Sequence, residues 1–239
     1  KQFEGLDFAM SEIAKRGMTA VLVLSNFWEW SGGLQTLLWR ATGQYMDMGD
    51  PAHPWPAFAD ATAQFYANEQ ARTLYNAHLR RMVTRTNSVT GMPYAQVPAV
   101  MSWQLANEPR PGGSDAAIAR NADAYYDWID DTAALIRSLD PNHMVSLGHE
   151  GTQGANGRED VVLRAHRNID YLTAHIWPPP ISTRTSGWRP PSANRCWSRN
   201  SASRAMGRPI RPTPAPSSAS GSTARSTTRS KRAGPPEAR

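Results

Sequence analysis

A single cysteine, Cys196, stands in the 239 residues, so no internal disulfide can form. No run approaches the roughly 20 apolar residues that a membrane-spanning helix needs, and we expect no membrane partner. No secretory leader follows Lys1, and the missing initiator Met indicates a start inside a longer protein. No strand-like segment runs into G-x-G-x-x-G, the loop that binds dinucleotides. The length then fits one large globular domain or two small ones.

Acidic side chains are almost missing from the last quarter of the chain. Residues 1–177 carry 14 Lys and Arg against 19 Asp and Glu, a net charge of −5. Residues 178–239 carry 12 basic side chains and Glu237 alone, a net charge of +11, with 11 of the 19 prolines. Such a composition buries too little apolar surface to offset the entropy of ordering. We therefore predict a folded part, 1–177, and a basic, disordered Pro/Ser/Arg-rich tail, 178–239.

Within the folded part, strand-like segments alternate with helical ones. A helix ending at Gly17 precedes "MTAVLVLSNFW", which is typical of a strand buried on both faces. A helix over roughly 59–86, the strand "VPAVMSWQLAN" and a helix over about 114–139, capped by Ser114, come next. "HMVSLGHEG", "REDVVLRAHR" and "IDYLTAHIWP" follow as strand, helix and strand. This order predicts parallel β/α units with function at the carboxyl ends of the strands. Four strands are visible where a closed barrel needs eight, and an open doubly wound sheet is the alternative.

Glu108 stands where an apolar strand gives way to Pro109, directly after Asn107. Such a glutamate is either a solvated or helix-capping side chain or a site residue, and the adjoining amide and proline favour the site. A glycosidase acid must hold a proton and give it to the leaving oxygen, and apolar aromatic surroundings favour a protonated carboxyl group. Asn107 could bind the sugar hydroxyl beside the reacting carbon.

Five segments in order resemble glycoside hydrolase family 5, in its β-mannanase branch, over roughly residues 5–178. They are "VLVLSNFWEWSGGLQTLLW", "FYANEQARTLYNAHLRRMVTRTNSVTG", "WQLANEPRPGG", "LDPNHMVSLGHEG" and "NIDYLTAHIWP". The resemblance implies an α/β fold of the (β/α)8 TIM-barrel type, incomplete here, with about strands 3–6 present. It implies retaining cleavage of β-1,4-mannosidic bonds, with Glu108 as acid/base beside Asn107. It also implies that His175 and Trp177 form the His-x-aromatic pair after the sixth strand, although the family often has Tyr at the second position.

The resemblance further implies a monomer that acts on β-mannan or a related polysaccharide without a cofactor, in a secreted or periplasmic location. A cellulase-type β-1,4-glucanase of the same family is the alternative.

Several other side chains allow two interpretations each. Trp28, Trp30 and Trp39 crowd one Gly-rich loop and are either sugar-stacking or packing residues, with the crowding favouring a groove. His143 and His149 flank a strand but have no Cys or carboxylate at ligand spacing, so we predict no metal site. We expect Glu150 to serve in an ion pair or a cap. "RRMVTRT" is predicted to be a solvated helix end.

A retaining glycosidase needs a second carboxylate, the nucleophile, about 5–5.5 Å from the first. The resembled family carries it in a stretch like "KPLVLEEFGF", and nothing of that kind follows Trp177. The segment "SANRCWSRNSASRAM", residues 192–206, can be written back into DNA with codons that the genetic code permits. When the same DNA is read from its third base, it encodes Gly-Lys-Pro-Leu-Leu-Val-Glu-Glu-Phe-Gly-Phe-Pro-Arg-Asp. We therefore predict a frameshift between about residues 177 and 191, a chain without its nucleophile, and little or no activity.

Two functions of other classes remain open. A non-catalytic carbohydrate binder would keep the aromatic groove and lack turnover. A nucleic-acid arm would use the clustered arginines of the tail, although the tail lacks interleaved aromatic residues and a frameshift explains its composition more simply. We expect no nucleic-acid partner.

Overall fold

Three parallel strands form a sheet in the order β1-β2-β3 in the computed structural model, which describes residues 1–176. The strands are β1, Ala20–Val23; β2, Val100–Gln104; and β3, Met144–Ser146. Leu22, Trp103 and Val145 lie side by side across the sheet, and all three are buried. One parallel bridge, between Ser146 and Tyr171, continues the sheet toward a fourth strand.

Six α-helices precede, connect or follow the strands within the described residues. They are α1, Gln2–Lys15; α2, Leu34–Thr42; α3, Ala57–Thr62; α4, Glu69–Val83; α5, Asp115–Leu139; and α6, Glu159–Ala165. Short 3₁₀ turns occur at Glu29–Ser31, Ala63–Ala67, Tyr94–Gln96 and Gly151–Ala155. Helices between parallel strands are the arrangement of a (β/α) barrel, and this part of the chain forms a segment of one. None of these helices is both long and apolar enough to cross a membrane.

Helix α5 shows why these residues fold as they do. Its buried positions recur every three or four residues, which is the period of a helix with one face on the core. Ser114 caps it as predicted, because its hydroxyl accepts a hydrogen bond from the Ala117 N–H at 3.1 Å. The Asp60 carboxylate in turn accepts hydrogen bonds from the Gly113 and Ser114 N–H groups, so α3 holds the loop before α5.

The core between the sheet and the helices is strongly aromatic. Tyr66 and Tyr75 from the α3–α4 region pack against Tyr125 and Trp128 of α5, with ring centroids 4.9 to 5.7 Å apart. Buried aromatic side chains carry a large apolar area each, so this cluster ties α4 and α5 to one another.

A buried carboxylate joins the first helix to the segment after α4. Asp7 accepts hydrogen bonds from Arg85 Nη2 at 2.5 Å, the Ser88 N–H at 3.0 Å and the Tyr94 hydroxyl at 2.8 Å. Burial alone would raise the pKa of Asp7, but the hydrogen bonds from Ser88, Arg85 and Tyr94 outweigh it and lower that pKa to about 2. The prediction that "RRMVTRT" is simply a solvated helix end is therefore wrong at Arg85.

Two further predictions need correction. The single helix predicted over 59–86 is interrupted, because Asn68 accepts a hydrogen bond from the Ala71 N–H at 2.9 Å and so starts α4 afresh. The first strand is not buried on both faces within the described residues, because Val23 at its end is 48% exposed. The helix ending near Gly17 is confirmed, and Gly17 itself has φ +66°, the left-handed conformation favoured at helix ends.

The tail over 178–239, the predicted domain boundary after residue 177 and the frameshifted segment all lie outside the described residues.

Candidate active site

The carboxyl ends of the three strands meet through backbone hydrogen bonds. The Phe27 N–H donates to the Asn107 carbonyl at 2.9 Å, and the Glu108 N–H donates to the Gly148 carbonyl at 2.9 Å. Gly148 has φ +84°, and a Cβ there would lie 1.9 Å from the Ala106 carbonyl oxygen. Only glycine allows this close approach, which fixes the segment carrying Asn107 and Glu108 in the middle of the three strand ends.

Glu108 is buried at that point, with 8% of its surface exposed. Its φ of 54° places a non-glycine residue in the left-handed region, a costly conformation that is concentrated at functional sites. One carboxylate oxygen accepts a hydrogen bond from Trp28 Nε1 at 2.7 Å, and the other lies 2.5 Å from His175 Nδ1. Each oxygen of Glu108 therefore has a partner from a different strand end, and the solvated or helix-capping interpretation does not apply.

Asn107 lies in a small network of amides and a hydroxyl. Its Nδ2 donates to Asn26 Oδ1 at 3.2 Å, and Asn26 Nδ2 donates to Ser31 Oγ at 2.9 Å. Asn26 was not among the predicted site residues, although it follows the apolar run of β1 just as Asn107 follows that of β2. These contacts fix the orientation of the Asn107 side chain beside Glu108.

The predicted tryptophans differ in what they contact. Trp28 is buried, and its ring lies nearly parallel to those of Trp30 and Phe58, at centroid distances of 5.4 and 5.9 Å. Trp30 is 62% exposed, so part of its ring is available to a ligand. Trp39, which lies on α2, is edge-on to Tyr45. Sugar binding by these rings stays a prediction, as does that by Trp177, which lies outside the described residues.

An ion pair borders the aromatic rings. Arg110 donates to both oxygens of Glu150, with Nη2 2.7 Å from Oε1, and both side chains are buried. The Arg110 guanidinium also lies 5.3 Å from the ring centroid of Trp28 and 5.2 Å from that of Trp55, within cation–π range. The expected ion pairing of Glu150 is confirmed. Arg110 and Trp55 were missed, and the only sequence signal for Arg110 is its place in the loop "NEPRPGG".

The two histidines that flank β3 lie at its opposite ends and have separate partners. His143 contacts Asp140 Oδ2 through Nδ1 at 2.7 Å and the Val97 carbonyl through Nε2 at 3.0 Å, which is a structural role. His149 is fully buried and accepts the Gly151 N–H at 3.0 Å. Burial, with a smaller contribution from nearby His166, lowers the pKa of His149 to about 3, so its ring is neutral near pH 7.

Comparison with known proteins identifies this arrangement of strand ends. A family model described as GH family 5 beta-mannosidase-like matches residues 1–188. The chain belongs to glycoside hydrolase family 5. The segment of parallel sheet and helices is thus part of the (β/α)8 barrel of that family.

Relatives of this family 5 chain are named as mannan-cleaving enzymes. Mannan endo-1,4-beta-mannosidase 1 of Oryza sativa subsp. japonica is 31% identical over 193 residues, which cover 74% of this chain and 40% of the rice protein. The crystal structure of a glycoside hydrolase family 5 mannosidase from Rhizomucor miehei has 33% sequence identity and a TM-score of 0.61, over 73% of this chain and 40% of that one. The endo-beta-1,4-mannanase from Thermotoga petrophila has 28% identity and a TM-score of 0.51, over 62% and 28%. The chain spans 35% to 42% of the length of the curated relatives it matches.

Proposed function

We propose that this chain carries the acid/base half of a site that cleaves β-1,4-mannosidic bonds in mannan-type polysaccharides. The observation that carries the proposal is Glu108, a buried glutamate in a left-handed conformation whose two oxygens contact Trp28 and His175. A side chain held in this way has its direction fixed before substrate binds, which a proton donor requires. The mannan specificity is taken from the relatives, which are named for mannan.

In a complete retaining site Glu108 would give a proton to the glycosidic oxygen while a second carboxylate forms a bond to the sugar carbon and the glycosidic bond breaks. His175 and Trp28 hold the carboxyl group, and the amide of Asn107, fixed by Asn26, binds the hydroxyl next to the reacting carbon. In the second half of a retaining reaction Glu108 would take a proton from the attacking water.

A retaining reaction also requires a second carboxylate as nucleophile, and the acidic side chains of this chain do not provide it. Among residues 1–176 the other buried glutamate is Glu150, and Arg110 occupies both of its oxygens. After residue 176 the sequence has one acidic side chain, Glu237, set among Pro, Ala and Arg. We therefore propose that the polypeptide as printed binds mannan oligosaccharides and hydrolyses them weakly or not at all. This is the behaviour of a non-catalytic carbohydrate binder that derives from an enzyme.

The experiment measures binding and turnover separately. Calorimetric titration with mannohexaose and cellohexaose tests recognition, and release of reducing ends from galactomannan tests hydrolysis. We expect binding to mannohexaose in preference to cellohexaose, binding that persists in Glu108→Gln, and reducing ends at background for both proteins. Absence of binding to mannohexaose would contradict the proposed substrate. Turnover that Glu108→Gln abolishes would support the role of Glu108 and contradict the proposed loss of activity.

A further inference from the structure

Two buried histidines near the end of β3 take no part in the proposed acid/base chemistry. His149 follows β3 in the chain, and His166 is the residue at which α6 ends. Their ring centroids lie 5.8 Å apart, and the ring planes are almost perpendicular, at 86°. The Nε2 atom of each ring is buried and has no hydrogen-bond partner among residues 1–176. Two buried, unpartnered polar atoms on adjoining rings are unusual enough to need a physical explanation.

The second nitrogen of each ring fixes the tautomer that the ring carries. His149 Nδ1 accepts the Gly151 N–H at 3.0 Å, so the proton of the neutral ring is on Nε2. His166 Nδ1 lies 2.8 Å from the Val162 carbonyl oxygen, which can only accept. The proton of His166 is therefore on Nδ1, and its Nε2 carries a lone pair. The two unpartnered nitrogens are thus a donor on one ring and an acceptor on the other.

A proton added to either ring disrupts this arrangement. On His149 it must go to Nδ1, where it faces the Gly151 N–H and replaces a hydrogen bond with two opposed donors. On His166 it must go to Nε2, on the ring that adjoins the protonated Nε2 of His149. Burial adds to these effects: it lowers the pKa of His149 to about 3 and lowers the pKa of His166 below its ordinary value.

The charged neighbours of the pair also oppose protonation. After burial, three side chains lower the pKa of His149 by their positive charge, and these are His166, Arg110 and His175. The adjacent carboxylate of Glu150 does not compensate, because both of its oxygens accept hydrogen bonds from Arg110. On the helix of His166, Arg164 pairs with Asp130 of α5.

The segment that covers the two rings has a small apolar cluster of its own. A Cβ at Gly154 would lie 3.1 Å from His149 Cε1, so the Gly151–Ala155 turn packs directly on that ring. The cluster is separate from the main core and consists of Ile118, Ala155, Val161 and Val162. Segments held by few apolar contacts open at a lower free energy than the whole fold. The turn and α6 can therefore move away from β3 while the sheet stays folded.

We propose that His149 and His166 form an acid-sensitive latch that holds the Gly151–Ala155 turn and α6 against the end of β3. At neutral pH both rings are neutral and the latch is closed. As the pH falls below about 6.5, protons bind to the exposed rings of the open form and are excluded from the closed form, so the open form gains. One such histidine raises the ratio of open to closed molecules by up to about tenfold per pH unit.

The latch does not depend on the proposed function, since it uses neither Glu108 nor a ligand. It lies next to the candidate site all the same. Glu150 stands between His149 and the turn and pairs with Arg110, so opening of the turn also loosens that ion pair.

Amide hydrogen exchange measured by NMR at pH 6, 5 and 4 tests the latch, with rates corrected for the intrinsic pH dependence of exchange. The Gly151 and His166 amides should lose protection about tenfold per pH unit. At each pH they should be at least about tenfold less protected than the amide of Ile136, which is buried in α5. The double variant His149→Gln with His166→Gln has neither ring to titrate and should change less than about threefold per unit. His78→Gln is the matched control, because His78 is exposed on α4, and it should behave like the parent.

Each of the other outcomes would overturn the latch. Protection of Gly151 and His166 that stays constant from pH 6 to pH 4 removes the acid sensitivity. Protection equal to that of Ile136 means that the segment opens only with the whole fold. A double variant that keeps the parent's dependence, or a His78→Gln variant that loses it, assigns the effect to other groups.

The tautomers decide the matter in the parent chain if the double variant does not fold. Long-range ¹⁵N–¹H spectra at pH 7 should show the proton of His149 on Nε2 and that of His166 on Nδ1. A proton on Nδ1 of His149, or on Nε2 of His166, would refute the latch.

Discussion

Replacing Asp7 with asparagine removes the carboxylate charge that pairs with Arg85 at the junction of α1 with the segment after α4. The Asp7 side chain is fully buried, and that of Arg85 is 14% exposed, so the guanidinium stays largely out of water after its partner is gone. Breaking one side of a buried ion pair costs about 3–5 kcal/mol. We expect Asp7→Asn to lower the free energy of unfolding by that amount at pH 7.

The pH dependence of the free energy of unfolding gives a second measure of how much the Asp7 carboxylate stabilises the fold. Its pKa is lowered from the ordinary value of 3.8 to about 2 in the folded chain, which corresponds to roughly 2 kcal/mol of stabilisation. A lowered pKa means that the unfolded chain binds the proton more readily. This stabilisation is therefore complete above about pH 4 and is lost as the pH falls toward 2. Asp7→Asn has no carboxylate to titrate and should lack this part of the acid destabilisation.

Urea unfolding followed by circular dichroism at pH 7, 5 and 3 measures both effects. Tyr94→Phe is the control, because it removes a single hydrogen bond to Asp7 at 2.8 Å, worth about 1 kcal/mol, and leaves the ion pair. Equal stability of Asp7→Asn and the wild-type chain at pH 7 would refute the reasoning. So would an unchanged loss of stability between pH 5 and pH 3.

Two other buried groups give predictions of the same kind. Because the pKa of His149 is lowered to about 3, its contribution to stability should decline by about 1.4 kcal/mol per unit as the pH falls from 6.5 toward 3. His149→Gln should show a shallower slope in the same titration, and an unchanged slope would contradict the assignment. Glu150→Gln leaves Arg110 buried without its counter-charge and should cost about 3–5 kcal/mol in urea unfolding. Arg110→Met combined with Glu150→Leu should recover most of that loss, and no recovery would count against a charge-based cause.

The sequence predicts best those features that depend on neighbouring residues. Glu108 follows an apolar strand and precedes a proline, and these local signals placed it correctly at a strand end. Ser114 lies before a long apolar period, which is the ordinary signature of a helix start, and it caps α5. The helix predicted over 59–86 failed because its apolar period continues through Asn68. The N-cap preference of asparagine was the signal that could have divided it.

Contacts between distant segments account for what the sequence could not provide. Asp7 and Arg85 are 78 residues apart, and Arg110 and Glu150 are 40 apart, so no periodicity relates the partners. Trp55 meets Arg110 and Gly113 only because α3 and the loop after β2 fold against each other. The exposure of Val23 has the same origin, since the burial of a strand depends on what covers each face of the sheet.

A crystal structure of Glu108→Gln with bound mannohexaose tests the proposed role of Glu108 most directly. We predict a glycosidic oxygen within about 3 Å of the residue 108 side chain, the reach of a hydrogen bond, with His175 and Trp28 still in contact with that side chain. An oligosaccharide bound elsewhere, with residue 108 turned away from it, would contradict the assignment of Glu108 as the proton donor.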